Sequence, residues 1–154
     1  MNATSLIAEI RIRNSEQFSV RIGNETRTGD LYYLGIDPRT KDHDCSIEEG
    51  LGRLIQGWID TIVSNAEGRR FYLPFDFSDE FTRWLACEKH DGELTALFGW
   101  AAIEGWSFSP SEFSEHSRDL QDFHADEPAN PQTFYIPRLL SNLRRSQAMI
   151  RLAT

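Results

Sequence analysis

Apolar and polar residues alternate along the first part of the chain. Apolar side chains stand at every second position over residues 6–12 and again over residues 18–22, and a polar stretch separates the two. A period of two is typical of a strand with one buried face, so residues 5–22 are predicted to form an antiparallel hairpin. A third strand is predicted over residues 31–36, where it ends before Pro38.

The period changes to that of a helix after Ser46. The Ser46 hydroxyl and the Glu49 carboxylate form a capping box, which satisfies free amides of a first helical turn. Apolar residues then recur at spacings of three and four, namely Ile47, Leu51, Leu54, Ile55, Trp58, Ile59 and Ile62. We therefore predict a long central amphipathic helix over residues 46–66. Its glycines each cost about 1 kcal/mol relative to alanine, which indicates close packing against a sheet.

The strongest signal for a second hairpin is an Asp-Gly pair at residues 91–92. Both residues tolerate the positive φ angles of a tight turn, so strands are predicted over 82–90 and 93–100. In this register Leu85 and Cys87 share one face of the hairpin, and we expect that face to be core.

Weaker patterns complete the outline. Strands are predicted over 70–73, 103–108 and 133–136, and an ordered loop over 74–79. The polar segment 109–131 is predicted to hold either a short helix near 111–122 or a wrapped loop.

This order of elements predicts the α+β class for a single domain spanning residues 1–154. We expect an antiparallel β-meander sheet of about six or seven strands. The central helix 46–66 and a C-terminal helix over 137–150, with Pro137 at its start, are predicted to pack on this sheet.

The charge balance changes which partners are expected. Sixteen basic and 24 acidic residues give a formal net charge of −8, which disfavours direct binding to nucleic acid or to anionic membranes. The start of the chain lacks the basic-then-apolar order of a secretory signal, and no stretch approaches the roughly 20 apolar residues of a membrane span. A cytoplasmic location is therefore expected, with Cys45 and Cys87 as reduced thiols.

Two groups of residues carry candidate chemistry. Asp42, His43, Asp44 and Cys45 have ligand-like side chains, but neighbours on extended backbone point in opposite directions, so we expect no metal and no cofactor. His116 and His124, with the carboxylates of residues 76–80, support an alternative function as a small hydrolase, with or without a metal, or as a ligand-binding domain. No catalytic motif accompanies them, so no residue is assigned a catalytic role.

Aromatic and acidic residues cluster in the second half of the chain. The stretch 71–123 holds 12 of the 18 aromatic residues. Trp84 is predicted on the hairpin face opposite Leu85, where it serves either as an interface anchor, as Trp106 could, or as a second layer packed under a helix or under the 109–131 loop. One base, Arg118, accompanies seven acids in 104–130, which are Glu104, Glu112, Glu115, Asp119, Asp122, Asp126 and Glu127.

These acids predict a surface that steers and holds a basic protein partner, and an ordinary solvated face is the alternative. A small acidic, aromatic-rich α+β chain without a catalytic motif is similar in general character to bacterial immunity proteins, which neutralise a cognate toxin. That similarity of class implies an inhibitor of a basic partner such as a toxin or nuclease domain.

Overall fold

The computed structural model describes residues 7–34 and 46–152. The first three strands are β1 (Ala8–Ile12), β2 (Gln17–Ile22) and β3 (Glu25–Asp30), and they form an antiparallel sheet in the order β1-β2-β3. The predicted N-terminal hairpin is therefore confirmed. We refer to these three strands as the small sheet.

The predicted position of the third strand was wrong. The strand β3 ends at Asp30, and Tyr32–Leu34 form a short 3-10 helix instead. Sequence patterns missed β3 because its only buried residue is Gly29. A Cβ at Gly29 would lie 2.5 Å from the Phe18 ring, so the strand can approach the core closely only with glycine at this position.

The central helix is confirmed as α1 (Ile47–Ser64), with the Ser46 hydroxyl accepting from the Glu49 amide at 3.1 Å. The explanation of its glycines needs correction, because they do not pack against a sheet. Gly50 lies against the Leu34 carbonyl of the 3-10 helix, and Gly57 lies against the Phe113 ring.

The remaining strands build a second, larger sheet. Its members are β4 (Arg70–Phe77), β5 (Thr82–His90), β6 (Glu93–Ala101), β7 (His124–Ala125) and β8 (Gln132–Tyr135). The order is β4-β5-β6-β7, and β8 also pairs with β6. The hairpin of β5 and β6 has the predicted register, in which Leu85 pairs with Phe98 and Cys87 with Ala96.

Two predictions next to this hairpin were wrong. The strand β4 continues through the stretch predicted to be a loop from residue 74, with an irregularity in its pairing between Pro74 and Asp76. Residues 103–108 form no strand, because the chain turns there and the Gly105 amide donates to the Ser78 carbonyl at 2.7 Å.

Two helices follow in the C-terminal third of the chain. The short α2 spans Ser114–Arg118, within the segment for which helix and loop were both open. The predicted C-terminal helix is confirmed as α3 (Ile136–Leu152), and it buries Leu139, Leu143 and Ile150. In the described residues, no helix is both long enough and apolar enough to cross a membrane.

The α+β class is confirmed, with the strands divided between two antiparallel sheets rather than one meander. The main core contains buried residues of α1, α3 and both sheets, including Trp58, Phe71 and Phe98. A second, smaller cluster is centred on Trp84, Ala101 and Leu120.

Candidate partner-binding surface

The predicted acidic residues are for the most part on the surface. Six of the seven acids are exposed, namely Glu104, Glu112, Glu115, Asp119, Asp122 and Glu127. Asp126 differs, because its carboxylate pairs with the Arg27 guanidinium of β3 at 3.1 Å and is only partly exposed. We call the stretch 104–127 the acidic segment. It ties the larger sheet to the small sheet through Asp126.

The acidic segment is held by apolar contacts beneath it. Leu120 is 7% exposed and lies in the cluster of Trp84, against which Phe108 and Phe123 also pack. The rings of Trp84 and Phe108 stack with their centroids 5.5 Å apart. Because the side chains at each end of the segment contact the sheet, the backbone between them is positioned by tertiary packing.

Of the two roles considered from the sequence, the structure gives Trp84 that of a second layer and not that of an exposed interface anchor. The residue is fully buried, and its indole N–H donates to the Thr82 hydroxyl at 2.6 Å. Its side chain is therefore covered by the acidic segment and is not available as a surface anchor in this conformation.

Trp106 is the most exposed tryptophan, with 64% of its surface accessible. It lies in the turn that follows β6, where the Ser107 hydroxyl donates to the Glu104 carbonyl at 2.7 Å. The neighbouring Gly105 is bonded to Ser78, in the turn between β4 and β5. Trp106 therefore lies at the end of the larger sheet where β5 begins and β6 ends.

A second exposed tryptophan at this end was not predicted. Trp100 is 39% exposed, and its ring stacks on His124 at 4.6 Å and contacts Phe81 edge-on at 6.3 Å. Ser78 donates both its amide and its hydroxyl to the Phe81 carbonyl, which connects this aromatic group to the turn that holds Gly105. The alternation of β6 places Trp100 opposite to Trp84, on the same face as Ala96 and Phe98 of the main core. Sequence alone could not show that the cover over this face ends before Trp100.

The two histidines of the alternative function are not brought together. His116 packs against Phe108, whose ring also contacts Trp84 and Phe77, and His124 stacks on Trp100. Trp84 and Trp100 belong to opposite faces of the larger sheet, because Trp100 pairs with Arg83, the neighbour of Trp84. The two imidazoles therefore lie on opposite sides of the sheet.

The carboxylates of residues 76–80 also have separate environments. Asp76 accepts from the Asp30 amide at 3.0 Å, and burial raises the pKa of its carboxyl group. The Tyr33 hydroxyl donates to Asp79, and this hydrogen bond raises the pKa of Tyr33 to about 12. Glu80 is exposed. Asp76 and Asp79 thus have local contacts that explain their positions.

Within residues 7–34 and 46–152, no group of three or more His, Cys, Asp or Glu side chains could hold a metal ion. The Asp42–Cys45 stretch lies outside the described residues. Cys87 is in the core, as predicted, and burial raises the pKa of its thiol far above the usual range, which keeps it neutral.

The chain matches no protein-family model, and comparisons with curated proteins and with solved structures likewise found no match. The fold defines its class as an α+β protein of two antiparallel sheets with two long helices. Inference about function therefore depends on the surface described above.

Proposed function

We propose that this protein binds a basic protein partner through the acidic segment and the adjacent Trp106. The observation that carries the proposal is the combination of six exposed acids with a tryptophan that leaves 64% of its surface in solvent. Burying a large exposed aromatic ring against a partner removes apolar surface from water, and tryptophan is among the commonest anchors of protein interfaces.

The two kinds of side chain would act at different stages of binding. Exposed carboxylates attract a basic surface over several ångströms and accelerate encounter, and this effect weakens as salt screens the charges. Trp106 would then bury its ring against the partner and slow dissociation.

The packing beneath the acidic segment supports this use. Leu120 and Phe108 hold the segment against Trp84, so its carboxylates are positioned before a partner arrives. A surface that is already ordered loses less conformational entropy on binding. On this basis we propose the immunity-like role in the cytoplasm, in which the protein occupies and neutralises a basic toxin or nuclease domain.

The test first identifies the partner and then measures the association and dissociation rates separately. A photo-crosslinking amino acid at position 106 would capture the partner in the native cell, and stopped-flow kinetics would follow with the purified pair. Neutralising Glu115, Asp119 and Asp122 as amides should slow association several-fold and leave dissociation nearly unchanged. Trp106→Ala should instead accelerate dissociation by about tenfold or more.

A matched control removes the same charge elsewhere. Glu16, Asp60 and Glu67 are exposed and lie outside the acidic segment, so replacing them with amides should change the association rate less than about twofold. If both triple variants slow association equally, only net charge matters and the acidic segment is not the binding surface. An unchanged dissociation rate in Trp106→Ala would remove the tryptophan from the interface.

A further inference from the structure

We propose that a groove between β1 and α3 binds an acidic peptide segment. The groove has a volume of about 580 Å³, within the range of ligand-binding clefts. Apolar side chains of Ile7, Ile10, Met149 and Ile150 line part of it. Ile7 and Met149 are 41% and 61% exposed, so apolar surface in the groove is open to solvent.

Arginine dominates the charge of this groove. Its lining includes Arg11, Arg21, Arg138 and Arg145 against a single acid, Glu9. Glu9 lies 3.8 Å from Arg11, and Arg21 donates to the Gly23 carbonyl. Within residues 7–34 and 46–152, Arg138 and Arg145 have no carboxylate within ion-pair distance.

The positive charge of this groove is opposite in sign to the net charge of the whole chain, which is −8. Like charges in one groove repel one another, so an anion that neutralises them binds there favourably. The guanidinium group of arginine matches a carboxylate in two parallel hydrogen bonds, which makes carboxylates suitable ligands.

The backbone of β1 indicates how the peptide would be recognised. The Ala8 amide donates to the Asn142 side-chain oxygen at 2.9 Å, and the Ile10 amide donates to the Ser146 hydroxyl at 3.0 Å. The Ala8 and Ile10 amides are therefore already bonded to α3 and cannot pair with an added strand. Recognition must come from side chains, with arginines binding carboxylates and the apolar lining accepting interspersed apolar residues.

Fluorescence anisotropy tests this with a short fluorescein-labelled peptide of glutamates and interspersed leucines. We expect saturable 1:1 binding that weakens with salt, and no binding of the counterpart with glutamine in place of glutamate. The double variant R138Q/R145Q should weaken binding by about tenfold, because it removes two arginines of the groove that would bind carboxylates. Both arginines are exposed, so the change should leave the core intact.

The matched control is R69Q/R144Q, which removes the same charge from exposed arginines that do not line the groove. It should bind the peptide within about twofold of the unchanged protein. Equal weakening by both variants, equal binding of the glutamine peptide, or no saturable binding would overturn the proposal. The assignment to an acidic peptide would be overturned if a single-stranded oligonucleotide bound more tightly than the peptide and lost its affinity in R138Q/R145Q. These outcomes do not depend on the acidic segment or on its partner.

Discussion

The two sides of the larger sheet are covered in different ways. On one side lies α1, a regular helix that buries seven residues and whose Trp58 indole donates to the Pro74 carbonyl at 2.7 Å. On the other side lies most of the stretch 103–123, whose only helix is the five-residue α2. Its cluster contains three buried hydrophobic residues, Trp84, Ala101 and Leu120. Phe113 of this stretch reaches the main core and contacts α1 at Gly57.

This difference separates stability from binding. The helical side concentrates buried apolar surface, which is the main stabilising contribution to folding. The irregular side has fewer buried residues and presents the exposed acids and Trp106. Regions with few buried contacts open more readily. We therefore expect the binding surface to have lower local stability than α1.

The largest expected effect is on the helical side. Trp58→Ala should reduce the free energy of unfolding by about 3–5 kcal/mol, because the ring is 1% exposed and its loss leaves a cavity and an unpaired Pro74 carbonyl. Urea denaturation would measure this. Val63→Ala, on the same helix but 58% exposed, is the control and should cost less than about 0.5 kcal/mol. A loss below about 1 kcal/mol for Trp58→Ala would contradict its place in the main core.

A smaller effect is expected on the irregular side. Leu120→Ala should cost about 2 kcal/mol, at the low end of the usual range, because the cluster around it is small. Hydrogen exchange should show lost protection confined to the stretch 103–123, with α1 unchanged. Leu152→Ala, which is 81% exposed, should leave exchange unaltered. Equal loss of protection across the whole chain would show that the two sides unfold as one unit.

The smallest effect comes from a pair of glycines on α1. A Cβ at Gly57 would lie 2.7 Å from the buried Phe113 ring, so Gly57→Ala should destabilise by about 1 kcal/mol despite alanine's better helix propensity. A Cβ at Gly52 meets no atom within 4 Å, so Gly52→Ala should stabilise by up to about 1 kcal/mol. Thermal melts of the two variants should shift in opposite directions. A higher melting temperature in both would mean that helix propensity alone decides the outcome, and a lower one in both would contradict the open space at Gly52.

Strong local signals were sufficient for three elements. The Ser46 cap and apolar stripe of α1, the Asp-Gly turn between β5 and β6, and the proline-led start of α3 all appear in the structure. Each depends on residues close together in the chain, so periodicity and turn chemistry predict it without knowledge of the fold.

Only the tertiary structure decided which surfaces are free. The sequence offered both Trp84 and Trp106 as interface anchors, yet Trp84 is buried because Leu120 and Phe108 return to cover it, and nothing comparable covers Trp106 among the described residues. The arginine groove likewise joins β1 to α3, through contacts more than 130 residues apart in the chain. Burial and charge clustering of this kind depend on which distant segments meet, and a local pattern does not contain that information.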